Sequence, residues 1–196
     1  MSQPIKFYDG SKAREPRAGE YVDAAVMPGQ RAGRWYLQGA NTTLTTVADR
    51  AYAVPILIHR RRAPAQIGVR VSNAGAVGAV LRLGIYTDAD GTPGSLVVDA
   101  GTTSAEVATY ATISMGSTIL DAGMYWLIVV SQGAPATQPS LRASSVANPL
   151  VGIKSLGNVS DAGYYMNGSW TGALPAVWGV SSLFDSASAP SVGLML

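Results

Sequence analysis

Cysteine is absent from the 196 residues, histidine occurs once, and charged residues make up only 13 per cent. The first absence excludes a disulfide framework and any thiolate metal site. With a single imidazole, a zinc or iron site is also not expected. A Ser-His-acid triad would have to use His59, yet Arg60, Arg61 and Arg62 follow it and disfavour the imidazolium that a general base becomes. Neither a G-x-S-x-G elbow nor a phosphate-cradling glycine loop followed by Lys occurs. The three glutamates are Glu15, Glu20 and Glu106, and most aspartates adjoin Gly or Ala in turn contexts. No facing pair of carboxyl groups of the kind a glycosidase needs stands out. An enzyme is therefore not expected, and neither is a cofactor or a metal. The apolar run Tyr125 to Val130 is far short of the ~20 residues that cross a bilayer, so no membrane insertion is expected. Met1 to Gly19 is polar and charged, without the apolar stretch of a secretion signal. The sequons at Asn41, Asn158 and Asn167 then read as chance in a chain rich in Ser, Thr and Asn.

The charge that is present is unevenly spread. Residues 1–62 hold ten of the fourteen Lys and Arg against five acids, a net of +5, and the remainder holds four against seven, a net of −3. Residues 1–34 mix these charges with Pro4, Gly10, Pro16, Gly19, Pro28, Gly29 and Gly33 and show no periodicity. That composition reads as an extended arm, and residues 35–196 as one body. From Trp35 onward, short alternating runs are separated by turn residues. Ile67, Val69 and Val71 share one side of a strand over 66–72, and Leu81, Leu83 and Ile85 share one side over 81–87. Further strands are predicted near 52–58, 95–99, 107–114, 151–155 and 192–196, with Pro55 confining the first to an edge or a strand end. Tyr125 to Val130 is apolar at odd and even positions alike, which predicts a mid-sheet strand covered on both faces. No segment shows a 3.6-residue stripe over three turns. The prediction is an all-β fold, an antiparallel, jelly-roll-like β-sandwich preceded by an N-terminal arm.

Two stretches invite a chemical reading. DADGTPG, residues 88–94, resembles the start of a calcium loop, but counting from Asp88 puts Thr92, Pro93 and Asp99 at positions 5, 6 and 12, where such a loop needs an acidic ligand, a Gly and a Glu. A plain turn between two strands is the expectation. Residues 131–185 read as loop-heavy and contain Tyr164, Tyr165, Trp170 and Trp178. Such rings either lie beneath the loops or stack on sugar faces, with Asn167 and Ser169 bonding the hydroxyls. The arginines at 34, 50, 60–62, 70 and 82 could form a basic patch, but aromatic residues do not interleave with them, so nucleic acid is not the expected partner.

VLRLGIYTDADGTPGSLVVDAGT followed by TILDAGMYWLIVVSQGA resembles a module of tailed-phage virion proteins, among them minor tail, tail-fibre and head-fibre proteins. The residues that carry the likeness are Arg82, Gly84, Ile85 and Tyr86; Pro93, Gly94 and Leu96; Asp99 to Thr102; and Ala122, Gly123, Tyr125, Trp126 and Leu127. GRWYLQGANTTLTTVADRAYAVPILI before them, and TGALPAVW and APSVGLML after them, extend it over residues ~33 to 196. The resemblance implies a structural or host-contacting appendage of the virion, often trimeric, with no catalytic residue. Residues 1–34 would attach to other virion proteins, and a host-surface polysaccharide is the expected ligand if the appendage is an adhesin. A freestanding carbohydrate-binding module is the alternative.

Overall fold

The computed structural model describes residues 7–9, 12–14, 30, 32–133, 136–152, 161–168, 170–179 and 183–196. Its contacts divide the chain into two compact units, Met1–Gln30 and Arg31–Leu196. In the first, β1 (Phe7–Asp9) pairs antiparallel with β2 (Lys12–Arg14). The second is all-β among the described residues and consists of two antiparallel sheets.

One sheet has six strands in the order β13 (Leu183–Ser186), β12 (Gly163–Met166), β5 (Ala51–Ile58), β10 (Gly123–Gln132), β7 (Val80–Ala89) and β8 (Thr92–Ser104). The other has seven. Its β6 (Gln66–Asn73) pairs with β9 (Tyr110–Ser114), with β15 (Gly193–Met195) and, past a bulge, with β11 (Ser140–Ser144). Outside these, β3 (Trp35–Leu37) pairs with β15, while β4 (Thr42–Thr45) and β14 (Ala189–Pro190) pair with β11. The alternation anticipated from sequence builds the core between the layers. Tyr52, Val54, Ile56 and Ile58 of β5, Leu81, Leu83 and Ile85 of β7, and Leu127 and Val129 of β10 meet Ile67, Val69, Val71, Leu141 and Leu194 from the other sheet. Burying each such aliphatic side chain stabilises the fold by roughly 1.5–3 kcal/mol.

DADGTPG forms the hairpin between β7 and β8. Asp90 and Gly91 both have positive φ, 50° and 81°, the pair of conformations that lets a two-residue connection follow the strand twist. Ala89 pairs with Thr92 across it, and Asp88 accepts a bond from the Gly91 amide at 3.3 Å. The bend between two strands is therefore what this stretch builds.

Three expectations change. Pro55 lies within an interior strand, opposite Trp126 of β10. It is tolerated there because β12 pairs with β5 only from Ala51 to Ala53, which leaves the flank beside Pro55 open, and a proline there removes no ladder bond. No strand begins at Val151, which sits in a turn whose amide bonds to the Asn148 carbonyl, 2.9 Å; residues 153–155 lie outside the described residues, as does Asn158. The loop-heavy region 131–185 contributes β11, β12 and the start of β13. These strands have four or five residues, too short to show a period between Gly and Pro punctuation.

Candidate functional site

The two outer faces of the sandwich differ, and the residues singled out from sequence fall mainly on the outer face of the six-stranded sheet. Because Leu81, Leu83 and Ile85 point inward, Arg82, Gly84 and Tyr86 face out, as do Trp126, Ile128 and Val130 of β10. Residues 170–178, which contain TGALPAVW, run across this face as a strap. Gln132, almost fully buried, donates Nε2 to the carbonyls of Trp170 and Gly172, the latter at 2.9 Å, and accepts from Arg82 Nε at 3.2 Å. Arg82 Nη1 bonds Asp99 Oδ2 at 2.6 Å, and the same oxygen accepts from the Leu174 amide at 3.0 Å. Further along, the Tyr86 hydroxyl donates to the Pro175 carbonyl at 2.6 Å, the Leu96 amide to the Ala176 carbonyl at 2.8 Å, and the Trp178 amide to the Gly94 carbonyl at 2.8 Å. Gly84 is required by close approach, since a Cβ there would meet Leu174 Cδ1 at 2.2 Å and the Val98 carbonyl oxygen at 2.8 Å.

This strap decides what the aromatic residues can do. Trp126 is fully buried, stacks on Tyr164 with centroids 5.2 Å apart, and donates Nε1 to Asp88 Oδ1 at 2.8 Å. Trp178 meets Tyr86 edge-on at 5.3 Å and Trp170 at 5.1 Å. Trp170 and Trp178 are 8% and 2% exposed, so neither offers a ring face to a sugar. Of the two readings the sequence left open for these rings, packing is what Trp170 and Trp178 do, and as glycan contacts they are corrected: both turn inward from the strap onto the sheet. Tyr164 is half-buried against the same cluster. Tyr165, on the opposite face of β12, stacks on Phe184 at 5.2 Å and carries the Arg50 guanidinium 4.5 Å over its ring. Arg50 Nε also bonds Asn167 Oδ1 at 2.7 Å, which occupies that amide oxygen. Ser169 lies outside the described residues. Among the remaining residues of the family resemblance, Pro93 pairs with Asp88 beside the hairpin, Gly123 opens β10 opposite Ile58, and Tyr125 packs against the inter-sheet core.

The outer face of the seven-stranded sheet has no strap among the described residues and holds a groove of about 480 Å³. Its floor is Gly68 of β6 and Gly193 of β15, neighbours in register. Trp35 of β3 rests on both, since a Cβ at Gly68 would come within 3.1 Å of Trp35 Cη2 and one at Gly193 within 3.3 Å of Trp35 Cε3. The ring is still 37% exposed. Across the groove Tyr110 of β9 is 73% exposed, with the Arg70 guanidinium 4.7 Å over its ring. Thr112, Arg142 and Ser191 are also among the lining residues, and no carboxylate is. The buried Ser191 hydroxyl has no hydrogen-bond partner among the described residues. Sequence reasoning missed this site, although the outward positions of QIGVRVSN already alternate a glycine with an arginine at 68 and 70.

The arginines singled out from sequence do not gather into one patch. Arg82 is tied to Asp99 on one outer face, Arg70 lies on the other, and Arg61 pairs with Asp121 at 3.6 Å where both side chains are largely exposed. Such an exposed pair contributes at most about 1 kcal/mol. His59 is a half-buried residue at the end of β5. Burial pushes the Tyr86 phenol well above its ordinary value of 10.0, and the Asp99 charge adds to the rise. Burial also raises Tyr52, against the opposing pull of Arg50. Among the described residues no group of three His, Cys, Asp or Glu could hold a metal ion. No helix of the described residues is long and apolar enough to cross a membrane. No protein-family model matches the chain, and no curated protein matches it either.

Proposed function

We propose that this chain is a structural virion protein of a tailed phage, an appendage that docks by its N-terminal arm and displays the sandwich toward the host surface. The observation that supports it is the strap. Gly84, Tyr86, Gly94 and Asp99, which carry the family resemblance, are bonded to or packed against TGALPAVW, more than seventy residues further on, and Arg82 holds Asp99 in place. The motifs are thus parts of one structural unit, and their residue types are explained by holding a loop on a sheet rather than by chemistry on a substrate. A homotrimer on the particle belongs to the same reading.

The arm is best removed at Gln30, because the Gly33 amide bonds the Leu196 carbonyl and the Leu196 amide bonds the Arg34 carbonyl at 3.1 Å within the sandwich. Mass spectrometry and immunogold labelling of purified particles should find the full chain, while the chain lacking residues 1–30 folds, by circular dichroism, and is not incorporated. Absence of the full chain from particles overturns the appendage reading. Equal incorporation of the truncated chain overturns the docking role of the arm. The groove on the seven-stranded sheet favours a second reading, a freestanding carbohydrate-binding module, which the same absence from particles would support.

A further inference from the structure

We infer that the groove on the outer face of the seven-stranded sheet binds an acidic polysaccharide through its carboxylate-bearing sugars. The inference deepens the host-contact reading above and rests on it for its biological setting, but the site is argued from its own geometry. Gly68 and Gly193 take side chains away from the middle of the sheet, so the Trp35 indole lies on the backbone and turns its other face outward. A ring supported in this way is a rigid apolar platform for the C–H face of a pyranose, and exposed Tyr110 offers a second across the groove.

The polar groups of the lining decide which sugar. Arg70 and Arg142 are donors only, and among the described residues neither is paired with a carboxylate. The lining holds two cationic donors and no Asp or Glu, so its charge is complementary to an anionic ligand. A uronic acid carboxylate supplies that charge, and charge-assisted bonds to guanidinium are about twice as strong as neutral ones. The Ser191 hydroxyl, without a partner among the described residues, lies in the same lining. Single-stranded nucleic acid would also combine stacking with positive charge, but it needs a cationic track along its backbone, and the Arg60 to Arg62 run does not line this groove. A volume of about 480 Å³ suits a few sugar units.

The test titrates the full-length protein by calorimetry with alginate, polygalacturonate and hyaluronan oligosaccharides, with dextran and a poly(dT) oligonucleotide as comparisons. Binding to at least one acidic polymer is expected, with none to dextran, and an affinity that falls as salt rises. Arg142→Gln and Tyr110→Ser change exposed side chains and should leave the circular dichroism spectrum and thermal midpoint unchanged. Each should weaken binding about tenfold. Asp185→Asn, at the far sheet, should leave binding as it is. Failure of all three acidic polymers to bind, equal binding of dextran, tighter binding of poly(dT), or undiminished binding by both groove variants would each overturn the inference. Loss of self-association in Tyr110→Ser, without acidic-polymer binding by the parent protein, would assign the groove to a second copy of the chain and overturn it too. Particles that contain the protein while it binds no acidic polymer would sink this site and leave the appendage reading standing. Binding by a protein absent from particles would do the reverse.

Discussion

The outer face of the six-stranded sheet and that of the seven-stranded sheet both carry tryptophan, tyrosine and arginine, yet they have opposite fates. On the first, Trp126 is buried beneath residues 170–178, whose own Trp170 and Trp178 are turned in against the sheet, and Arg82 is bound to Asp99 with about four-fifths of each side chain covered. On the second, Trp35 and Tyr110 remain exposed and Arg70 lies over a ring. The difference teaches that an aromatic residue in a loop-rich stretch is no guide to a binding surface. What matters is whether the chain has a segment with the backbone partners to cover the sheet. The six-stranded sheet supplies Gln132, Asp99, Tyr86 and Gly94 as anchors for such a segment. The outward positions at the middle of the groove on the seven-stranded sheet include Gly68, Gly193, Arg70 and Arg142, which leave room and charge instead.

The comparison breaks most severely at Trp126. Trp126→Ala empties a fully buried site and removes the bond to Asp88, and should cost about 3–5 kcal/mol in urea unfolding, with a fall in Tm of roughly 10 °C. Asp99→Asn leaves Arg82 buried without its charge partner and weakens the hold on Leu174, for about 2–3 kcal/mol. Its sharper reading is local: tryptophan emission should shift to the red as the strap lifts and exposes its own Trp170 and Trp178, while polymer binding on the other face is kept. Loss of that binding together with the emission shift would mean that the two faces are not independent.

A smaller loss is expected from Tyr86→Phe, about 1–2 kcal/mol, because the Pro175 carbonyl is left without its donor. This residue also ties the covered face to pH. Tyrosines of the unfolded chain ionise near 10.0, whereas Tyr86 and Tyr52 stay protonated in the fold to higher pH. The folded state therefore binds more protons above that value, so stability is fully present below about pH 10 and falls as pH rises beyond it. Tyr86→Phe should flatten this alkaline loss in chemical unfolding; an unchanged slope would show that the phenol is not the group responsible. Smallest of all is Trp35→Ala, about 1 kcal/mol or less, since the ring is over a third exposed and rests on glycine. A cost near that of Trp126→Ala would erase the distinction between the faces.

Much of the sandwich was legible beforehand. The alternation of Ile67, Val69 and Val71 and of Leu81, Leu83 and Ile85 fixes which side of each strand meets the core, because side chains on a strand alternate with period two. Asp90-Gly91 identifies its hairpin by the steric tolerance of those residues for positive φ. The doubly apolar Tyr125 to Val130 demanded cover on both faces, and it has the opposite sheet on one and the strap on the other. Local sequence could not say that the cover would come from TGALPAVW, because Asp99 and Leu174, or Tyr86 and Pro175, become neighbours only when strands far apart in the chain pair. Nor could it place Gly68 beside Gly193 under Trp35, a coincidence of three strands in register. Strand period is a property of a few consecutive residues and was readable there. Burial of a given ring, and the groove that an uncovered face leaves, depend on which distant segments meet, and only the packed sheets decided that.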